Sequence, residues 1–209
     1  MKPASSTPTA LVLIDIQHGF SSVVEDTPYF ERNITTLLGA AREYNARSPD
    51  QPILIIHVHH HSLDPTSTLH PSYKLPSGTL GLKPLDFARP LTSEPVLTKH
   101  HNSSFVGTNL EGRLREFGAR QLILAGLTTD HCVSTTSRFA ANLQVLGDDG
   151  GPDGTGLGHN GIILLRDGTA TYAKGAFDAE TLHEVHLASL DEEFVQVSGT
   201  DEAIAAIIG

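Results

Sequence analysis

Ala10-Leu-Val-Leu-Ile-Asp15 is an unbroken apolar run that stops on a charge. A strand with one wet face would alternate apolar and polar residues. An unbroken run suits a strand buried on both faces of a parallel sheet. The same signal recurs along the chain. Pro52-Ile-Leu-Ile-Ile-His-Val58 reads as a second strand and Pro95-Val-Leu-Thr98, ending against Lys99, as a third. Gln121-Leu-Ile-Leu-Ala125, Ile162-Ile-Leu-Leu165 and Phe194-Val-Gln-Val197 read as the fourth, fifth and sixth.

Helical patterns fall between these runs. Thr27 and Pro28 punctuate the start of a helix in which Phe30, Ile34, Leu37, Leu38 and Ala41 recur at helical spacing. Thr108-Asn-Leu-Glu111 has the capping-box pattern, and Gly118 ends the helix that follows. A helix is expected from about His131 to Leu143, with Val133, Thr136, Phe139, Ala140 and Leu143 inward. Another covers Phe177 to Leu190, and Asp201 caps a short last one.

Regular alternation of strand and helix predicts an α/β fold: a three-layer, Rossmann-like sandwich around a six-stranded parallel sheet. With strand order 3-2-1-4-5-6, strands one and four are neighbours at the point where the order reverses. Ligands of such sheets bind there, beyond the carboxyl ends of the strands. Asp15, Lys99 and Cys132 all follow strands and would meet at that edge.

The 209 residues fit a single domain with a sizeable core. Hydrophobic residues at 39% and charged residues at 18% are ordinary for a soluble globular chain. The net charge of -10 and the lack of a basic stripe argue against a nucleic-acid partner. No apolar run approaches the roughly 20 residues of a membrane span. Residues 1–9 read as a loose, non-secretory tail, and 147–161 as a Gly/Asp-rich surface insertion. The single cysteine excludes an intrachain disulfide and suits a reducing, cytoplasmic setting.

Each of the three edge residues has a plain chemistry. Cys132 sits where a tight link, Gly126-Leu-Thr-Thr-Asp-His131, opens into a helix. The helix dipole there would favour the thiolate, and backbone N–H groups could hold an oxyanion. Asp15 could serve as general base. Lys99 could balance the charge of an Asp–thiolate pair. Each could equally be structural: a buried inert thiol, a capping carboxylate, an exposed basic cluster of Lys99 with His100 and His101.

Three stretches together resemble the isochorismatase-like cysteine hydrolases, the superfamily that includes nicotinamidases. They are Leu13-Ile-Asp-Ile-Gln17 with Phe20, Lys99 followed by Ser103-Ser-Phe-Val-Gly-Thr-Asn-Leu110, and Gly126-Leu-Thr-Thr-Asp-His-Cys-Val133. The resemblance runs from about Ala10 to Val197 and keeps the family's order. It implies a catalytic triad of Asp15, Lys99 and Cys132. It also implies a cis peptide at Leu127-Thr128 and an oxyanion hole of the Thr128 and Cys132 N–H groups. The implied activity is cleavage of a C–N bond in a small amide, lactam or ureide through a thioester. An isochorismatase-type vinyl-ether hydrolase and a non-catalytic binding member are the alternatives. Relatives of this fold form dimers or tetramers, so a homo-oligomer is expected.

The histidines His57, His59, His60, His61 and His70 invite a zinc reading. Metal-binding relatives use an Asp-x-His pair where this chain has His59-x-His61. Successive residues of an extended segment point to opposite faces, so these histidines cannot all converge. The stretch Val58-His-His-His-Ser62 with Leu69-His-Pro71 is instead similar to metal-free, streptothricin hydrolase-like members. No metal or cofactor is expected. By this likeness His59, His60 and His61, with Phe20, Phe105 and Thr136, would line the substrate pocket.

Overall fold

In a computed structural model, residues 1–147 and 161–208 are described. The sheet has six strands in the order β3-β2-β1-β4-β5-β6, all parallel. They are β1 (Thr9–Ile14), β2 (Leu54–His60), β3 (Val96–Lys99), β4 (Gln121–Leu127), β5 (Ile162–Ala170) and β6 (Gln196–Ser198). The helices are α1 (Ser21–Glu25), α2 (Pro28–Arg47), α3 (Leu110–Phe117), α4 (Ser134–Asn142), α5 (Ala179–Leu190) and α6 (Thr200–Ile208). The fold class and strand order are those the sequence predicts.

Period-2 alternation divides each central strand between two cores. Leu11 and Leu13 join Phe30, Ile34, Leu37 and Leu38 of α2 and Ala203 and Ile207 of α6 on one face. Ala10, Val12 and Ile14 join Leu110 and Leu114 of α3, Ala140 of α4 and Leu187 of α5 on the other. Every residue of β1 and β4 is buried, which is why both read as unbroken apolar runs. No helix among the described residues is long and apolar enough to cross a membrane.

Several local expectations are corrected. The amino-terminal segment is docked, not loose. The Lys2 N–H donates to Gln121 Oε1 at 2.9 Å, the Ala4 N–H donates to the Ala206 carbonyl at 3.1 Å, and Ala4 is buried. Thr27 stands at the N-cap of α2, but its hydroxyl makes no capping bond. The Thr108/Glu111 box does not form: Asn109 is the N-cap of α3 and Glu111 pairs with Arg115 at 2.9 Å instead. Phe139 is exposed and Ser137 takes the buried place on α4. Asp178, not Phe177, opens α5, accepting the Thr181 N–H at 2.7 Å. Asp201 lies inside the first turn of α6, whose Thr200 N–H donates to Asp167 at 2.8 Å. The 147–161 insertion falls almost wholly outside the described residues.

The long connection after β2 is laced to the segment after β1. The N–H groups of His18, Gly19 and Leu85 donate to Lys83, Gly81 and Ile16 at 2.8, 2.7 and 3.0 Å. Gly81 allows this closeness, since a Cβ there would lie 1.9 Å from the Thr68 carbonyl oxygen.

Candidate active site

Three strand ends converge at the reversal of strand order. β1 runs into Asp15, β3 ends on Lys99, and β4 runs into a π-helical turn, Thr129–Val133, that carries Cys132. Single π-turns recur at functional sites because the widened turn redirects a side chain. Asp15 adopts φ 54°, a left-handed conformation that costs an L-residue roughly 1–2 kcal/mol. Its N–H donates to Val58 across the sheet at 2.8 Å and its carbonyl accepts from Gln17 at 2.9 Å. Gly126 lets β4 close up beside it, because a Cβ there would sit 2.0 Å from the Ile14 carbonyl oxygen.

Lys99 occupies the centre. Its ammonium donates to Asp15 Oδ2 at 2.7 Å, to Cys132 Sγ at 3.1 Å and to the His101 carbonyl at 3.1 Å. It is also 3.4 Å from His60 Nδ1. Asp15 and Lys99 are wholly inaccessible and Cys132 is 8% exposed. Lys99 is therefore a buried ion, not part of an exposed basic cluster. Asp15 Oδ1 is also buried and accepts no hydrogen bond from the described residues. One carboxylate oxygen thus anchors on the lysine and the other stays unused.

This environment reverses the expected state of the thiol. Burial, then the nearby Asp15 carboxylate, push the Cys132 thiol up to about 12, although Lys99 opposes both. Burial also raises Asp15 despite its lysine partner. Burial and the adjacent carboxylate thus favour the protonated thiol over the free thiolate that the helix start alone suggests. Desolvation outweighs the dipole.

The peptide Leu127-Thr128 is cis. The Thr128 carbonyl accepts from the N–H groups of His131 and Val133 at 3.1 and 3.2 Å. The Cys132 N–H, between these two, stays outside that pair of bonds. Behind the turn, Thr129 Oγ1 meets His183 Nδ1 at 2.8 Å, and Asp130 binds Thr171 Oγ1 at 2.6 Å and the Lys174 ammonium. Burial alone would raise Asp130, but Lys174 and Thr171 bring it down to about 2.

The other residues expected at the pocket separate. His60 belongs to the centre: a ring nitrogen of His60, an oxygen of Asp15 and Cys132 Sγ lie within 4.8 Å of one another. Such a donor trio could hold a metal, but the Lys99 ammonium already lies within 3.4 Å of all three side chains and would repel a second cation. His59 is buried on the opposite face, with its ring 6.4 Å from that of His57, as the alternation of a strand requires. His61 lies at the rim, its N–H bound to the Lys99 carbonyl at 2.9 Å and its carbonyl 2.7 Å from His100 Nδ1. Thr136 is fully buried, and its hydroxyl is consumed by the Ser104 N–H at 3.0 Å and the Ser104 hydroxyl at 3.1 Å. It clips α4 to the loop after β3 rather than lining a pocket. Phe20 packs against the α2-side core, and Phe105 against the core that contains Cys132.

One residue of the first stretch gains a role that its sequence context did not show. Gln17 is fully buried. Its Oε1 accepts the His60 N–H at 2.8 Å, and its amide donates to the carbonyls of His60 and Leu82 at 3.0 and 2.6 Å. A polar residue three positions beyond an apolar strand, in the same motif as Asp15, is the signal that could have flagged it.

The isochorismatase domain model matches residues 9–202, nearly the whole chain. The chain belongs to the isochorismatase family. It is 32% identical to the Bacillus subtilis isochorismatase family protein YrdC, over 93% of this chain and 94% of that one. It is 33% identical to the secreted isochorismatase effector Isc1 of Verticillium dahliae, over 66% of this chain and 67% of the effector. Among solved structures, an isochorismatase-family protein from Chromobacterium violaceum matches with TM-score 0.73 and 30% identity, over 97% and 94% of the two chains. Membership of this family makes the chain an isochorismatase-family hydrolase.

Proposed function

We propose that the protein is a cysteine hydrolase that cleaves a C–N bond of a small amide, lactam or ureide through a thioester on Cys132. The observation that carries this reading is the placement of Lys99, 2.7 Å from the Asp15 carboxylate and 3.1 Å from the Cys132 sulfur, at a dry sheet edge. A thiol held near 12 needs a base at the moment of attack. Asp15, which has a carboxylate oxygen within 4.8 Å of the sulfur and Oδ1 without a hydrogen-bond partner among the described residues, is that base.

Asp15 takes the thiol proton as the sulfur attacks the carbonyl carbon. The Thr128 and Cys132 N–H groups hold the developing oxyanion. Asp15 returns the proton to the leaving nitrogen as the C–N bond breaks, and the acyl group remains on sulfur. Water then attacks the thioester, Asp15 accepts its proton, and the acid departs as the thiol re-forms. Lys99 keeps a positive charge beside whichever of Asp15 and Cys132 is anionic, so the proton moves without exposing an uncompensated buried charge.

A panel of small amides, lactams and ureides, run on the wild type and on Cys132→Ala, tests the assignment. Hydrolysis of at least one member, abolished by the substitution, is the expected result. Turnover that survives Cys132→Ala, whether of an amide or of a vinyl ether, would overturn it.

A further inference from the structure

The thioester reading assigns a nucleophile and a base but leaves open what holds the second reactant, water. Of the four groups at the centre, Asp15 and Lys99 are wholly inaccessible and Cys132 is nearly so. His60 alone is only partly buried. Of the four, His60 is the group most open to an approaching molecule.

The backbone that carries this imidazole is fixed in place. Gln17 binds both the N–H and the carbonyl of His60, at 2.8 and 3.0 Å, and spends its remaining amide hydrogen on Leu82 at 2.6 Å. Because Gln17 follows Asp15 by two residues, the same clamp sets His60 relative to the base. The triangle of Asp15 oxygen, Cys132 sulfur and His60 nitrogen has sides no longer than 4.8 Å. In the closed site the Asp15 corner is sealed from solvent; a water drawn in as the thioester is hydrolysed would come within hydrogen-bond reach of His60 and Asp15 together.

The charge state also suits this task. Burial, followed by the Lys99 ammonium, lowers His60 to about 4, with His100 and His61 pushing the same way and the His101 carbonyl opposing. At neutral pH the ring is uncharged, so it can accept one hydrogen bond and donate another.

We propose that His60 positions the water that hydrolyses the thioester on Cys132, with Asp15 taking that water's proton. The C–O bond forms as the C–S bond breaks, and the proton on Asp15 passes to the departing thiolate. The inference rests on the thioester reading above.

The test uses p-nitrophenyl acetate, which acylates a thiol without knowledge of the natural substrate. Each acylation releases one p-nitrophenolate and leaves an acetyl group on sulfur. Clearance of the acetyl-enzyme is followed by intact mass in the wild type, His60→Phe and His60→Ala. His60→Phe keeps a ring of similar size and deletes both nitrogens. The expected result is clearance roughly 10²-fold slower in the variants, the scale of a positioned proton-handling group. The acylation kcat/KM should stay near wild type while kcat and KM fall together. Hydroxylamine, a nucleophile that needs no positioning by His60, should restore clearance.

A slowing of less than about tenfold in a folded variant, or a loss confined to kcat/KM, overturns the water-positioning role. If the wild type itself forms no acetyl adduct, or Cys132→Ala forms it equally, the thioester reading has failed instead. Melting temperature confirms folding. Should His60→Ala not fold, His60→Phe carries the comparison.

Discussion

Two buried charged clusters face opposite sides of the same sheet, and they are built to different ends. On the α2 side, Glu94 accepts two bonds from Arg42 at 2.8 Å, one from the Leu91 N–H at 2.9 Å and one from His57 Nε2 at 2.9 Å. Both of its oxygens are engaged, Oε1 by one bond and Oε2 by three. Burial would raise Glu94, but Arg42, Leu91 and His57 together bring it down to about 2. At the other cluster, Asp15 keeps one oxygen unused, is itself raised, and faces a thiol at about 12. A saturated cluster stabilises the fold and resists change. An undersaturated one costs stability and retains a proton acceptor, as expected of a site that must react.

The largest effects should come from the undersaturated cluster. Asp15→Asn should lower kcat by about 10²–10⁴-fold in the amide assay, the range for loss of a general base. The same substitution removes the acceptor for the thiol proton while burial, the larger cause, still holds the thiol up, so iodoacetamide should alkylate Cys132 more slowly in Asp15→Asn than in the wild type. Alkylation that slows along with hydrolysis would mark Asp15 as the base for sulfur attack. Equal or faster alkylation would erase the distinction between the clusters.

Next in size is stability. Lys99→Met strands the Asp15 carboxylate in a dry site and should cost about 3–5 kcal/mol in urea melts. Adding Asp15→Asn should recover most of that loss while activity stays absent. A double variant as unstable as the single one would mean that Lys99 acts by packing.

Glu94→Gln should cost about 1–3 kcal/mol, because Arg42 and His57 lose a charged acceptor. Its kcat should remain within about twofold of the wild type. A collapse of activity would show that the saturated cluster communicates with the site.

The smallest effect is on the acid limb of stability. Glu94 is lowered in the fold, from an ordinary 4.5 to about 2. Its contribution is therefore present above about 4.5 and lost as pH falls through about 2. Glu94→Gln should flatten stability against pH in that window. Asp15 is shifted the other way, so protonating it favours the fold, and Asp15→Asn should not flatten the same limb. Melts across this pH range check both.

The histidine run shows where sequence stops. Its period alone shows that His59 and His60 point apart. It does not show which of them meets Lys99, because that depends on the β2–β3 register, in which His60 lies opposite Lys99. Thr136 matched a pocket residue by likeness, yet Ser104 consumes its hydroxyl. Hydrogen bonds between residues 32 positions apart leave no mark on local pattern. The thiol's state is hidden from the sequence for a similar reason. Position at a helix start is legible, but the depth of burial beside Asp15 is not.

By itself the sequence determined the α/β sandwich and placed Asp15, Lys99 and Cys132 each just after a strand, so that the strand order 3-2-1-4-5-6 brings them to one sheet edge. Unbroken apolar runs and helical punctuation are local signals, and a parallel sheet allows few ways to connect them. Tertiary structure alone decided that Lys99 is dry, that one Asp15 oxygen stays free, that burial favours the protonated thiol, and that Gln17 fixes the backbone of His60 beside them. Those properties belong to desolvation and to contacts between distant residues, which exist only once the strands are in register.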